Sequence, residues 1–198
     1  MMSISLFPEP ADFELKVRQK GLRFLKTTPK PTSQEWSRHS YWQDILPEMR
    51  GLYNRLCNYC ATWIPHSTGQ HSVDHFLDKD NNPQKAYEWN NYRYVSTRFN
   101  SRKGVQAIVD PASLPSQAFI LNFTNFFVET NPVLTPVTLA SLARETIRIL
   151  KFNEDDELVE ERMTYFRAYQ NGDISFDYLQ NRAPFIAFEI NRQGLRTR

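Results

Sequence analysis

The chain has 198 residues, of which 40% are hydrophobic and 14% aromatic, ample for a packed core. Charged residues at 23% and a formal charge of +2 argue against wholesale disorder, and the net charge does not by itself announce a nucleic-acid binder. Two cysteines, Cys57 and Cys60, exclude a disulfide framework and point to a reducing compartment. The start, MMSISLFPEPADFELKV, lacks a basic segment followed by an apolar run, so no signal peptide is expected. No stretch has the length of a membrane span. A cytoplasmic protein without a membrane partner is the expectation.

Residues 1–35 read as an arm, with Pro8, Pro10, Pro29 and Pro31 flanking a short helix around 11–24 and a basic run over 16–30. From Trp36 to Leu56 the residues Tyr41, Ile45, Leu46, Met49, Leu52 and Leu56 recur at helical spacing. Pro47 divides that run into two helices, the second starting near the proline. After CNYC, the segments YCATWI and SVDHF read as two strands of a hairpin turning at Gly69. Residues 77–88 are a polar loop, and 91–103 is predicted as a helix.

The aromatic-rich AFILNFTNFFVET predicts a second hairpin. Thr135 and Pro136 make a helix start, and Leu139, Leu142, Ala143, Ile147 and Leu150 give 136–151 one apolar face. Asn153 is expected to open the next helix, whose first turns are acidic (EDDELVEE) and which Gly172 ends. A last helix, PFIAFEINRQ, stops at Gly194.

The stretch NNYRYVSTRFNSRKG, residues 90–104, concentrates Arg93, Arg98, Arg102 and Lys103 without an acid and retains Asn91 and Asn100. With Asp74 and His75 upstream, the polar residues form a frame D-H-x15-N-x8-N-x2-K, preceded by C-x2-C. A neutral imidazole such as His75 is a suitable base near neutral pH. A carboxylate with an amide oxygen, as Asp74 and Asn100 provide, is a sparse set of hard ligands. Magnesium accepts such a set, since it keeps several waters and takes further oxygens from a phosphate. Arg93, Arg98, Arg102 and Lys103 would hold a phosphate backbone beside it. Taken singly, each residue has a plainer reading: Asn91 as a helix N-cap, the cations as a solvated face.

This frame resembles the HNH endonucleases, whose site is a ββα-metal finger. The helix frame N-L-x-x-L-C-x-x-C-N-x-x-K of that family is matched by NYRYVSTRFNSRK without insertion or deletion. The resemblance covers about 53–104. It implies His75 as general base, Asp74 and Asn100 as ligands of one Mg2+ (or Mn2+), Asn91 as the residue fixing the loop, and DNA as substrate. The flanks, KAYEWNNYRYVSTRFNSRKG followed by VDP, are similar to HNH proteins of bacterial anti-phage systems of Septu and retron type, which implies a larger ATPase partner. The expected fold is α+β. A finger over 53–104 sits in a mainly helical single domain, after an N-terminal arm and helix (1–52) and before a short hairpin with a helical region (105–198).

Many HNH proteins carry a second C-x2-C pair that completes a structural zinc site. Its positions here hold Ser96 and Phe99, so a four-cysteine site is impossible. His66 and His71 could complete a set with Cys57 and Cys60; the preferred reading has no structural zinc, with Phe99 packed where the metal would sit and the cysteines as small buried residues. The competing functional class is a catalytically silent HNH-like module that binds nucleic acid or a partner protein.

Overall fold

The computed structural model describes residues 1–196. The chain is α+β, with two small antiparallel hairpins and a majority of helix among its regular elements. It divides into two compact units that cut across the three consecutive stretches expected from sequence. One comprises Ser5–Leu56 and Ile64–Val105; the other comprises Met1–Ile4, Cys57–Trp63 and the residues from Gln106 onward. Among the described residues no helix is long and apolar enough to cross a membrane.

The Ser5–Val105 unit begins with a wide helical turn at Glu14–Arg18 that runs into α1 (Gln19–Thr27). This segment is no loose arm, because Phe13 and Val17 are fully buried. Phe13 meets Trp89 and Tyr92 edge-on at 5.6 and 5.8 Å, while Gly21 lies against Tyr87 so closely that a Cβ there would come within 2.0 Å of the ring. Only glycine permits that approach. α2 (Ser33–Arg38) starts with a capping box, Thr32 and Glu35 each satisfying the other's backbone N–H. α3 (Leu46–Leu52) begins beside Pro47, as the sequence predicts, after a 3-10 turn at Tyr41–Ile45.

The first hairpin differs from expectation in its partner. β1 (His71–His75) pairs antiparallel with β2 (Tyr92–Ser96), in the register Asp74↔Arg93 and His75↔Tyr92. The segment YCATWI forms no strand; Asn58–Cys60 are a turn and Ala61 has φ 55°. The predicted helix over 91–103 is therefore half strand. Tyr92, Tyr94 and Val95 are aromatic or β-branched, which suits a strand, and all three are buried. The helix proper, α4, is Thr97–Lys103, and it ends at Gly104, whose φ of 51° and ψ of −125° favour glycine.

The second unit holds β3 (Phe119–Asn122) and β4 (Phe127–Thr130), the hairpin predicted from sequence, with Leu121 opposite Val128. Its helices are α5 (Val137–Ile149), α6 (Asp156–Gln170), α7 (Phe176–Arg182) and α8 (Pro184–Arg192). Pro136, rather than Thr135, stands at the N-cap of α5, and no side chain caps it. Asn153 does not open α6, which starts after Asp155; its side-chain amide pairs with both backbone groups of Val128, at 2.8 Å each. Gly172 and Gly194 take positive φ after α6 and α8, as expected of C-terminal glycines. The buried Glu189 accepts from Leu121 N at 2.9 Å, and the Arg162 guanidinium donates to the carbonyls of Phe126 and Phe152.

Candidate active site

Asp74, His75 and Asn100, separated in sequence, line one cavity of about 310 Å³ at the open end of β1. β1 brings Asp74 and His75 to the strand end; β2 then hands the chain to α4, which crosses back over β1 and presents Asn100. The Asn100 amide nitrogen donates to Ser72 Oγ at 3.0 Å and Val73 O at 3.3 Å, which ties α4 to β1. Both bonds use the nitrogen, so the amide oxygen keeps its lone pairs.

His75 is half-buried and held by three neighbours. Its Nε2 lies 2.9 Å from Ala86 O, and since a carbonyl only accepts, Nε2 carries the proton and Nδ1 keeps the lone pair. Trp42 and Tyr92 meet the imidazole edge-on, at 4.6 and 5.3 Å, and the Tyr92 hydroxyl donates to the same Ala86 carbonyl at 2.8 Å. Burial pushes the His75 pKa down to about 4, the Ala86 bond opposing and Lys79 and Lys103 reinforcing the shift, so the ring is neutral at neutral pH.

Asn91 is not a helix cap. It is buried at the end of a 3-10 turn, where its Oδ1 accepts from Leu77 N at 2.7 Å and its Nδ2 donates to Leu77 O and Lys85 O at 3.0 and 3.1 Å. One side chain thus closes the loop from 76 to 91 across its base. That loop supplies Ala86, the partner of His75.

Two of the four cations expected to grip phosphate are buried. Arg93 is 2% exposed, donates to the carbonyls of Asn90 and Tyr92 at 2.8 Å each, and lies over the Phe76 ring. Lys103 is 1% exposed, and its Nζ bridges Asp74 at 3.2 Å, His75 O at 3.0 Å and Gly104 O at 3.4 Å. Both positions face inward, and their charge is spent on the protein. Arg98 is exposed and Arg102 half-buried with its guanidinium over Phe99.

Sequence reading missed Trp42, Lys79, Asp78 and Asp80, which line the same cavity. The last three form a charged run soon after Asp74-His75, the one signal that could have found them. Asp78 closes its own turn by accepting from Asn81 N at 3.0 Å. His71 begins β1 and its Nδ1 pairs with the Tyr94 hydroxyl at 2.7 Å.

Among the described residues no group of three or more His, Cys, Asp or Glu side chains is arranged to hold a metal ion. Cys57 is buried and Cys60 half-buried; burial, then the hydrogen bond with Cys57, pushes the Cys60 thiol well up. For a single hard cation the fit is different. Asp74 and Asn100, both lining the cavity, carry the hard oxygen donors that magnesium accepts, and the cavity has room for the waters magnesium retains.

No protein-family model matches the chain, and no curated protein matches it in sequence.

Proposed function

We propose that the Asp74–His75–Asn100 cavity hydrolyses phosphodiester bonds in DNA with one divalent cation, Mg2+ or Mn2+, as an HNH-type endonuclease. The observation that carries the reading is the environment of His75: a neutral imidazole whose Nε2–H is fixed on Ala86 O, with its Nδ1 lone pair available beside a carboxylate and an amide oxygen in one cavity. In this scheme His75 Nδ1 takes a proton from water as the water oxygen attacks phosphorus, and the bond from phosphorus to the 3′-oxygen breaks. Asp74 and Asn100 would hold the cation, which when bound offsets charge on the phosphate and on the leaving oxygen. Trp42 and Tyr92 keep the imidazole from rotating, and Asn91 holds the loop that supplies Ala86.

Lys103 acts on the same geometry from behind. By bridging Asp74 and the His75 carbonyl it fixes the carboxylate against the strand end and offsets its buried charge. The similarity of the flanks to anti-phage HNH proteins extends the proposal to a defence effector controlled by an ATPase partner. Co-purification from the native host tests that extension separately.

The activity itself is tested with supercoiled plasmid, comparing magnesium with EDTA and wild type with Asp74→Asn. The expected result is nicking that needs magnesium and is lost in the variant. Equal nicking in EDTA, or by Asp74→Asn, contradicts the reading.

A further inference from the structure

The cavity alone is a poor place for DNA to land. Asp74, Asp78 and Asp80 face it, while the cations beside them are Lys79, itself 3.4 Å from Asp80, and the buried Lys103. Before a divalent cation binds, the balance is negative and repels phosphate. A duplex needs cationic contacts that the protein has not neutralised.

α1 carries such contacts over only part of its length. Its first cations, with the turn before it, are consumed: Lys16 pairs with Asp12 and Glu48, Arg18 with Glu9 and Glu14, and Lys20 with Asp44. Beyond them the pattern stops. Arg23, Lys26 and Lys30 are exposed, and among the described residues none has a carboxylate partner. Arg38 at the end of α2 is exposed too, and the acid of its own helix, Glu35, is engaged by Thr32 in the capping box. Arg50 and Lys85 are likewise unpartnered, but each stands alone on its element.

Arg23 and Lys26 are three residues apart on α1, Lys30 follows that helix, and Arg38 ends α2. Phe24, next to Arg23, stacks on His39, next to Arg38, at 3.8 Å, and meets Trp36 at 5.9 Å. Trp36 in turn touches the cavity wall, lying 6.2 Å from Trp42 and under the Lys79 ammonium at 5.6 Å. The helices that carry Arg23 and Arg38 are therefore joined to the cavity wall through packed rings within one unit.

We propose that Arg23, Lys26, Lys30 and Arg38 form a backbone-docking surface for duplex DNA that holds substrate without metal, beside the cavity that cuts it. The assignment of DNA as the ligand rests on the nuclease reading above. The contacts are to phosphates, so affinity falls steeply with salt and carries no sequence preference.

The test is binding of a short fluorescent DNA duplex to the full chain in EDTA over a salt series. Wild type is compared with Arg23→Glu/Lys26→Glu/Lys30→Glu and with an equal charge change on the other unit, Arg144→Glu/Lys151→Glu/Arg167→Glu. All six side chains are exposed, so folding is spared. The expected result is binding weakened about tenfold or more in the first variant, with a salt slope shallower by about 3, and near-wild-type binding in the second. Equal loss in both variants, no loss in the first, or no metal-free binding by wild type overturns the proposal. Magnesium-dependent nicking that survives such a result leaves the nuclease reading intact. Metal-free binding lost only in the first variant, with no nicking by wild type, overturns that reading and leaves the docking surface.

Discussion

Asn91 and Asn153 have the same task in two different hairpins. Each uses both ends of its side-chain amide to grip one residue's backbone N–H and C=O, Leu77 beside β1 and Val128 in β4. Around them the two regions diverge. Beside β3 and β4 the inward polar groups are consumed: Glu189 accepts from Leu121 N, Arg192 and Gln193, while Arg162 donates to two carbonyls. Beside β1 and β2 the polar groups are only half used. His75 commits Nε2 and keeps Nδ1; Asn100 commits its nitrogen and keeps its oxygen. A polar cluster that serves only stability satisfies itself. One that serves chemistry is anchored on one side and keeps valence toward a cavity.

The largest stability effect is expected where the site pays for its buried charge. Lys103→Met removes the buried ammonium that pairs with Asp74 and should cost about 3–5 kcal/mol in urea unfolding. Adding Asp74→Asn should restore part of that loss, because the carboxylate that Lys103 pairs with is then neutral; failure of the double variant to recover would break the idea that Lys103 serves Asp74. Next come the matched amides. Asn91→Ala and Asn153→Ala should each destabilise by about 1–3 kcal/mol, since each leaves buried backbone groups unmet. Only Asn91→Ala should also slow plasmid cleavage, because only its loop carries Ala86; parallel losses of activity in both would erase the contrast.

The last effect concerns pH. Burial lowers His75 to about 4, and burial with Arg55 and Arg50 also lowers His71, whereas in the unfolded chain both titrate near about 6.5. Below that pH the unfolded state binds more protons than the folded state. Stability should therefore rise with pH from about 4 to about 6.5 and be lost on acidification through the same window. Denaturant midpoints across that range check the slope, and His75→Gln should flatten it.

What the sequence made legible was which residues come together. Asp74, His75 and Asn100 fall on one cavity as their frame suggests, and AFILNFTNFFVET is a hairpin. The backbone between them was harder. Arginine and asparagine in 91–100 suggested an exposed helix, yet Tyr92, Tyr94 and Val95 are buried strand residues, and Arg93 is covered with its guanidinium turned onto nearby carbonyls. Lys103 was read as a surface cation because lysine is almost never buried without a partner, and the partner, Asp74, lies far away in sequence. Asn153 looked like a helix start for the reason that asparagine suits both caps and strand-edge clamps. The seven residues of α7 carry too little periodicity to mark a helix in sequence.

The most direct measurement is single-turnover cleavage of a DNA duplex in magnesium by wild type and by His75→Ala, with circular dichroism confirming that both are folded. The expected result is a rate lower by about 10²–10⁴ in the variant, with its secondary structure intact. Cleavage at the wild-type rate by folded His75→Ala would contradict the assignment of this cavity as the catalytic site.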